Sequence, residues 1–469
     1  MKDISRRKFL KYLGYGATGS LIMSACKSDD KDDSSKSNGE IITDGQMTYR
    51  VNPNTGDKVS LLGYGCMRLP TVGGQSAQRS DEEIDQQKVN EQVDFCLEHG
   101  VNYFDTSPAY CRGMSEKVMG EALCRHPRNT YYLATKLSNF NPATWSRESS
   151  IEMFENSLKN LKTDYIDYLL LHSVGGKSDE LDSMQTYRAR YEDNGILDWL
   201  IEQRKIGRIR NLGFSYHGDV KIFDYMLRMM DEGRLKWDFA QIQHNYVDLE
   251  YASEINPVNT KSVYLLGELA KRGIPAVVME PLLGGRLADV PLHIAARMKA
   301  LRPNNSVASW AFRFAGTSPA ILTVLSGMTY DEHIRDNIRT FSPLEPISSK
   351  EEEFLRDAAK KIVFNKSIPC TGCSYCMPCP YGVDIPAVFE HYNKCINDDN
   401  LPQGPNHDAA YKSARRRFLG RYHIAVDSSR NASRCIGCNH CVSHCPQTID
   451  IPATMHEIDD YVTRLKAEV

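Results

Sequence analysis

Residues 161–172 read Leu-Lys-Thr-Asp-Tyr-Ile-Asp-Tyr-Leu-Leu-Leu-His, and they are the best starting point for inferring the architecture. The largely apolar run 165–171 ends directly at His172, which is typical of a parallel strand buried on both faces. The segment before it has apolar residues at helical spacing, which predicts an amphipathic helix with one buried face. These residues are Ile151, Phe154, Leu158 and Leu161. The repeating unit is therefore a helix that leads into a buried strand with a polar residue at its end.

The same unit recurs between residues 48 and 345. Short apolar runs predict eight strands, at 59–62, 101–104, 131–135, 165–171, 209–214, 239–240, 274–278 and 322–325. Eight strands that alternate with helices over about 300 residues are the pattern of a (β/α)8 TIM barrel. A doubly wound sheet is the alternative fold, and the lack of a Gly-x-Gly-x-x-Gly motif after the first strand counts against it.

The overall composition is that of an ordinary globular protein. The chain has 469 residues, of which 41% are hydrophobic and 25% are charged, so a disordered, collagen-like or coiled-coil protein is excluded. Its formal net charge of -3 gives no sign of a nucleic-acid partner. No apolar run reaches the roughly 18 residues that a transmembrane helix needs.

Polar residues follow three neighbouring strands at their carboxyl ends, where a TIM barrel builds its active site. These residues are Asp105, Lys136 and His172, and Tyr110 lies on the loop after Asp105. We expect the ammonium of Lys136, oriented by Asp105, to lower the pKa of Tyr110. We expect His172 to hydrogen-bond a substrate oxygen. Such a pocket would donate a proton during carbonyl reduction or accept one during alcohol oxidation, with hydride carried by a cofactor.

Three stretches resemble the aldo-keto reductase family, and the resemblance extends over about residues 48 to 345. They are Asn-Tyr-Phe-Asp-Thr-Ser-Pro-Ala-Tyr at 102–110, the segment 113–123, and the run 161–172. The resemblance implies a barrel enzyme that binds NAD or NADP and a small carbonyl or alcohol substrate.

By this resemblance, Tyr110 is the general acid and base, and Asp105, Lys136 and His172 complete a catalytic tetrad. Three further positions match cofactor contacts of the family. Ser215 and Gln241 match the residues that hydrogen-bond the nicotinamide carboxamide, and Asn337 matches a contact at the adenine end.

The chain departs from the family at several cofactor positions. Gly327 and His333 stand where basic residues hold an adenosine 2′-phosphate, and their loss removes charge-assisted hydrogen bonds. Arg335 lies close in sequence and is a candidate to compensate. Met279 replaces the aromatic residue that stacks on the nicotinamide. The choice between NAD and NADP is therefore left open.

Eight of the 14 cysteines fall in two regular runs near the C-terminus, each followed by proline. The runs are Cys370, Cys373, Cys376 and Cys379, then Cys435, Cys438, Cys441 and Cys445. This spacing predicts two 4Fe-4S clusters, with structural zinc and disulfides as the alternatives.

In two-cluster ferredoxins, the fourth cysteine of each run binds the other cluster. By that pattern, one cluster takes Cys445 with the first three cysteines of the first run, Cys370, Cys373 and Cys376. The other takes Cys379 with Cys435, Cys438 and Cys441. The expected C-terminal unit is a small α-helical, ferredoxin-like iron-sulfur domain at 346–469.

Residues 1–26 are typical of a twin-arginine export signal. Arg6 and Arg7 precede Phe-Leu-Lys and a weakly apolar stretch, and a basic helix of the fold is the alternative. Small residues before Cys26 resemble a lipoprotein cleavage site, which predicts a lipid there unless Cys26 is an ordinary cysteine. Residues 27–47 are expected to be a disordered tether. The protein would then be exported across the cytoplasmic membrane, and be periplasmic or lipid-anchored at a membrane surface.

The combined prediction is an exported oxidoreductase. Its barrel transfers hydride between a nicotinamide and a carbonyl or alcohol, and two 4Fe-4S clusters exchange electrons with a redox protein or a quinone-linked partner. Because a nicotinamide moves two electrons and each cluster moves one, a flavin is a further candidate cofactor. The alternative is a non-enzymatic electron-transfer or binding protein that uses the barrel as a scaffold.

Overall fold

A computed structural model of the protein describes residues 41–43, 47–178, 180–365, 367–402 and 408–468. The predicted export signal and Cys26 lie outside these residues. Most of the predicted tether does too, and within it Ile41–Thr43 forms a strand. In the described part of the chain, no helix is long and apolar enough to cross a bilayer.

Eight parallel strands close into a barrel, which confirms the predicted TIM barrel and excludes the doubly wound sheet. The barrel strands are β4 (Leu62–Gly65), β5 (Tyr103–Asp105), β6 (Tyr132–Leu137), β7 (Ile166–Val174), β8 (Ile209–Tyr216), β9 (Phe239–Gln243), β10 (Ala276–Met279) and β11 (Ile321–Ser326). They pair in chain order, and β11 closes the barrel against β4 in the register Val324 to Leu62.

A separate antiparallel sheet precedes the barrel. It consists of β1 (Ile41–Thr43), β2 (Thr48–Val51) and β3 (Lys58–Ser60). The predicted first strand, 59–62, is therefore divided between β3 and β4. Leu61 lies between these strands and is fully buried, so the apolar run 59–62 does not reveal where β3 ends and β4 begins.

The helices between the strands are α1 (Gln86–Glu98), α2 (Ser115–Leu123), α3 (Arg147–Leu161), α4 (Ser183–Tyr191), α5 (Ile196–Lys205), α6 (Val220–Asp231), α7 (Asp248–Ile255), α8 (Ser262–Lys271), α9 (Leu292–Leu301) and α10 (Val307–Thr317). The apolar face predicted from Ile151 to Leu161 belongs to α3. Its N-terminus is capped by the Ser146 side chain, and it ends at Lys162 in the left-handed conformation.

Two helices follow β11. In α11 (Asp331–Thr340), Asp331 is the first helical residue, and its carboxylate accepts a hydrogen bond from Lys88 Nζ at 2.6 Å. The next helix, α12 (Ser349–Val363), shares a buried core with Trp310 and Phe314 of the barrel. By its packing, α12 therefore belongs with the barrel.

The remaining chain builds its own small core around the cysteine runs. Its helices are α13 (Ile385–Asn397), α14 (Ala409–Ala425) and α15 (Ile451–Ala467). Phe389, Phe418 and Met455 are fully buried between them, and ligand cysteines of both runs pack against this core. This is the predicted helical, ferredoxin-like domain.

The cysteine-bearing segment lies against the carboxyl ends of the barrel strands. Arg68 Nη2 donates to the Thr371 carbonyl at 3.0 Å, and Arg286 Nη2 donates to Ser367 Oγ at 2.8 Å. Gly284, on the loop after β10, faces Thr371 so closely that a Cβ would overlap it. The two cores therefore meet at the end of the barrel where the active site is expected.

Candidate active site

A large open cavity lies at the carboxyl ends of the barrel strands. All four predicted tetrad residues line it, as do the three predicted cofactor contacts. The residues are Asp105, Tyr110, Lys136 and His172, together with Ser215, Gln241 and Asn337. The structure therefore brings to one cavity the four predicted tetrad residues and the three predicted cofactor contacts.

Lys136 and Asp105 form a buried ion pair between neighbouring strands. Lys136 Nζ donates to Asp105 Oδ1 at 2.5 Å and to the Thr106 carbonyl at 2.8 Å. The same ammonium lies 4.6 Å from the centroid of the Tyr110 ring. Lys136 thus has its charge balanced by Asp105 while it contacts the face of the tyrosine.

The pKa of Tyr110 moves in the direction opposite to the prediction. Burial raises it well above 10, and the nearby Asp105 and Glu280 carboxylates raise it further. The expected net lowering by Lys136 is wrong because burial, the largest cause, raises the pKa. Tyr110 therefore keeps its proton at neutral pH, and donating it requires a group that stabilises the phenolate.

His172 is held as a neutral imidazole beside Tyr110. Burial lowers its pKa well below 6.5, and Lys136 and Arg190 lower it further. Ser138 Oγ lies 2.6 Å from His172 Nδ1, and the ring meets that of Tyr110 edge to face at 5.9 Å between centroids. With Nδ1 engaged, Nε2 is the ring nitrogen that can hydrogen-bond a substrate oxygen.

The residues predicted to hold the nicotinamide carboxamide fit that group. Gln241 Oε1 is buried and has no partner in the described protein, while its Nε2 lies 3.5 Å from Asp105 Oδ2. Ser215 Oγ accepts from the Ser173 amide at 2.8 Å. An unpaired buried oxygen requires a donor, and the carboxamide nitrogen of a nicotinamide would supply one. Met279, at the end of β10, lines the same cavity.

At the other end of the cavity, Asn337 Nδ2 donates to Ser326 Oγ at 3.0 Å. Gly327 and His333 line this region, and so do the carboxylates of Glu332 and Asp336. Arg335, the candidate to bind a 2′-phosphate, instead stacks on the Phe95 ring at 4.5 Å from the centroid. Arg335 therefore does not replace the lost basic residues.

The sequence reasoning missed two cavity residues. Glu280 follows β10 with a φ of 55°, and its buried Oε2 has no partner among the described residues. Burial raises its pKa, and Arg68 opposes that rise. Tyr375 comes from the segment between two cluster cysteines. The strand-end position of Glu280 was a usable signal, whereas nothing in the sequence placed Tyr375 at the barrel.

The eight cluster cysteines form two groups that mix the two runs. Cys445 joins Cys370, Cys373 and Cys376 around a small cavity. In the second group, burial raises the pKa of Cys441 to about 11, and the neighbouring Cys435, Cys438 and Cys379 raise it too. This is the grouping that crosswise ligation needs, so the thiols fit two 4Fe-4S clusters.

No three His, Cys, Asp or Glu side chains of the described residues are placed to hold a single metal ion. In the first group, the thiols surround a cavity instead, as a cluster of several irons requires. The other buried thiols near the barrel cavity are Cys66 and Cys111, and burial raises the pKa of each. Neither is therefore suited to act as a thiolate nucleophile.

Comparison with known families gives two matches. The family described as Aldo/keto reductase matches residues 62–356, and the 4Fe-4S dicluster domain matches residues 369–449. Each match covers the part of the chain that carries the corresponding geometry.

Among curated proteins, the chain is similar to L-galactose dehydrogenase of Arabidopsis thaliana. The two are 26% identical over 324 residues, which is 66% of this chain and 92% of that protein. It is also similar to the aldo-keto reductase YhdN of Bacillus subtilis, with 24% identity over 326 residues, 63% of this chain and 93% of that protein. A solved thermostable aldo-keto reductase, Tm1743, shares the fold, with a TM-score of 0.51, 19% identity, and coverage of 66% and 99% of the two chains.

Proposed function

This chain belongs to the aldo/keto reductase family of NAD(P)-dependent oxidoreductases and carries a 4Fe-4S dicluster domain, and from this premise we propose its reaction. The enzyme transfers hydride between a bound nicotinamide and a small carbonyl or alcohol substrate, and exchanges electrons through two 4Fe-4S clusters. The observation that carries the proposal is that Tyr110, Lys136 and His172 line the same cavity as the cluster ligands Cys373 and Cys445.

In the reducing direction, Tyr110 donates its proton to the carbonyl oxygen as negative charge develops there. His172 Nε2 hydrogen-bonds the same oxygen and orients it. The Lys136 ammonium, which lies over the tyrosine ring and is held there by Asp105, stabilises the phenolate that Tyr110 leaves behind. The nicotinamide supplies the hydride when it is bound, and Gln241 and Ser215 orient its carboxamide.

The adenine end of the cavity supports NAD rather than NADP. A 2′-phosphate would lack the basic side chains that the family carries at the positions of Gly327 and His333, and Arg335 does not replace them because it is stacked on Phe95. The Glu332 and Asp336 carboxylates line the same region, and they would repel a phosphate.

Two features support a pair of clusters in which one lies close to the tetrad and the other lies close to the protein surface. Cys373 and Cys445 line the barrel cavity, so the cluster of Cys370, Cys373, Cys376 and Cys445 is proximal to the tetrad. In the other group, Cys438 is exposed, which suits electron exchange with a redox protein or a quinone-linked partner. Each cluster would hold one electron when bound, so the two clusters together would hold the two electrons of one hydride, and the proton of that hydride would leave to solvent.

The proposal places the enzyme outside the cytoplasm. Its support is the Arg6-Arg7 pair with the residues that follow, and the small residues before Cys26. A lipid on Cys26 would hold the enzyme at a membrane surface. The name of one relative, L-galactose dehydrogenase, supports a hydroxylated substrate.

The non-enzymatic alternative retains less support. A scaffold barrel has no need of a buried Lys136–Asp105 pair or of an imidazole tied to Ser138, since even a well-paired buried ion pair is often no more stabilising than apolar residues of similar volume. Membership of an oxidoreductase family also favours an enzyme.

Replacement of Tyr110 with Phe tests the proposed reaction. We expect kcat for aldehyde reduction to fall by about 100-fold or more, because the variant lacks the proton donor but keeps the ring that packs on Lys136. The assay uses anaerobically purified protein, with NADH and NADPH compared, and iron and sulfide are counted for each sample. An iron content of about eight in both proteins controls for cluster loss. Turnover at the wild-type rate in Tyr110→Phe would falsify the proposed role.

A further inference from the structure

The cluster-bearing segment is fixed across one side of the barrel cavity. Besides the contacts from Arg68 and Arg286, Gln78 Nε2 donates to the Cys373 carbonyl. Arg79 bonds Glu390 at 2.5 Å, and Thr448 Oγ1 donates to Asn256 Oδ1 at 2.8 Å. Barrel loops therefore hold the chain on both sides of Tyr375, so its position over the cavity is defined by the structure.

Tyr375 is directed into the cavity by the backbone before it. Ser374 has a φ of 60°, in the left-handed region, so the chain turns sharply between Cys373 and Tyr375. The tyrosine lines the cavity together with Tyr110, Lys136 and His172, although 40% of its surface is accessible. A large aromatic side chain that lines an active-site cavity and keeps accessible surface can pack against a ligand.

The electrostatic surroundings of Tyr375 also place it opposite the tetrad. Beyond burial, the groups that shift its pKa are Tyr110, Cys373 and Glu280, which raise it, and Lys136, which lowers it. Glu280 lines the same cavity and offers the unpaired oxygen described above. An aromatic ring and a hydrogen-bond acceptor therefore line the same cavity as the catalytic tyrosine.

We propose that Tyr375 and Glu280 form the substrate-binding wall opposite Tyr110, and that they select a hydroxylated carbonyl compound. The ring of Tyr375 packs on the carbon skeleton, and Glu280 Oε2 accepts a hydrogen bond from a substrate hydroxyl. The iron-sulfur domain thereby completes the substrate pocket of the barrel. This inference rests on the proposed function, which supplies the reaction at Tyr110.

Steady-state reduction of glyceraldehyde by the enzyme with both iron-sulfur clusters bound tests the role of Tyr375. We expect Tyr375→Ala to raise KM about five- to ten-fold while kcat stays within about two-fold, since the ring binds substrate without taking part in the chemistry. Tyr375→Phe should stay close to wild type, because it retains the ring. The matched control is Tyr381→Ala, which removes an exposed tyrosine of the same segment that does not line the cavity.

Propanal, which has the same three-carbon skeleton without hydroxyls, tests the role of Glu280. We expect Glu280→Ala to raise KM for glyceraldehyde at least five-fold and to leave KM for propanal within about two-fold. Iron content and visible absorption are measured for every variant. An unchanged KM in Tyr375→Ala overturns the proposal, and so does an equal change in Tyr381→Ala.

The Tyr110→Phe variant separates this inference from the function on which it rests. If Tyr110→Phe is inactive while the KM values of Tyr375→Ala and Glu280→Ala are unchanged, the reaction stands and the binding wall is rejected. Wild-type enzyme that reduces neither aldehyde contradicts both proposals. A raised KM in the two wall variants, with the expected selectivity for glyceraldehyde, supports the wall.

Discussion

Asp248 is a single carboxyl group whose burial affects the stability of the protein. It is almost fully buried, its Oδ2 accepts a hydrogen bond from Asn245 Nδ2 at 2.7 Å, and its Oδ1 has no partner among the described residues. Burial raises the pKa of Asp248 from 3.8 to about 7. The native protein therefore binds this proton more tightly than the unfolded chain does.

The pH dependence of unfolding follows from this shift. Between about pH 4 and 7 the native state keeps this proton, whereas the unfolded chain has lost it. The stabilisation that the bound proton provides is therefore complete below about pH 4 and is lost as pH rises through 7. The full effect is at most about 4 kcal/mol. We expect Asp248→Asn, which needs no proton, to raise the melting temperature more at pH 8 than at pH 5. A difference between variant and wild type that does not change with pH would contradict the expected titration.

The side chains of the site show what sequence reasoning can and cannot find. Asp105, Lys136 and His172 were found because each directly follows a buried strand, and parallel strands end at one face of a barrel. The pKa of Tyr110 was predicted in the wrong direction because the burial that raises it depends on tertiary contacts. Tyr375 had no signal at all, since its position depends on how two separate cores meet.

Among the structural elements, the loop after β10 is decisive for the contact between the two cores. Gly284 in this loop has a φ of 69°, and Thr371 of the cluster-bearing segment fills the space where a side chain would stand. The next residue, Gly285, has a φ of 108° and nothing within 4 Å of its missing Cβ. Substituting alanine at each of these two glycines therefore separates the effect of backbone strain from the effect of a steric overlap with Thr371.

We expect Gly284→Ala to displace the cluster-bearing segment, because the added Cβ overlaps Thr371 backbone and side-chain atoms that cannot move independently. Gly285→Ala is the matched control, which introduces strain at a positive φ without a steric overlap. Hydrogen–deuterium exchange of residues 367–376 is the measurement. Faster exchange in Gly284→Ala alone is the expected result, and equal exchange in both variants would show that the contact is not what holds the segment.

The elements themselves were predicted well where hydrophobic pattern and length agreed. All eight barrel strands were located, and α3 was found from its apolar face. The division of run 59–62 between β3 and β4 was missed because the turn residue Leu61 is itself buried. A turn that contributes to the core leaves no polar or glycine signal in the sequence.

At the scale of the whole molecule, the barrel surrounds the proximal cluster site with positive charge. Burial lowers the pKa of Arg286 while the charges of Asp248 and Cys370 oppose that change, and Arg68 bonds the carbonyl of Thr371. A reduced cluster carries one more negative charge than an oxidised one, so nearby guanidinium groups favour reduction. The barrel arginines thus favour reduction of a cluster whose cysteine ligands belong to the C-terminal iron-sulfur domain.

We expect Arg286→Gln to lower the midpoint potential of one of the two clusters and to leave the other nearly unchanged. The reason is that the variant removes a largely desolvated positive charge near Cys370 only. The measurement is a redox titration of the loaded protein followed by electron paramagnetic resonance. Arg434→Gln, which removes an exposed arginine beside Cys435, is the control, since water and salt screen its charge. Equal shifts of both clusters in Arg286→Gln would contradict a local effect.

The crosswise grouping of the cysteines also bears on how the protein is made. A ribosome releases the chain from its N-terminus, so the barrel emerges long before Cys445. Neither group of four thiols is complete until the second run has been synthesised, because each group contains at least one cysteine of that run. Iron loading is therefore a late event in maturation, and it follows the emergence of a barrel that is already able to fold. Synthesis of the second cysteine run thus sets the earliest time at which the iron-sulfur centres can be completed.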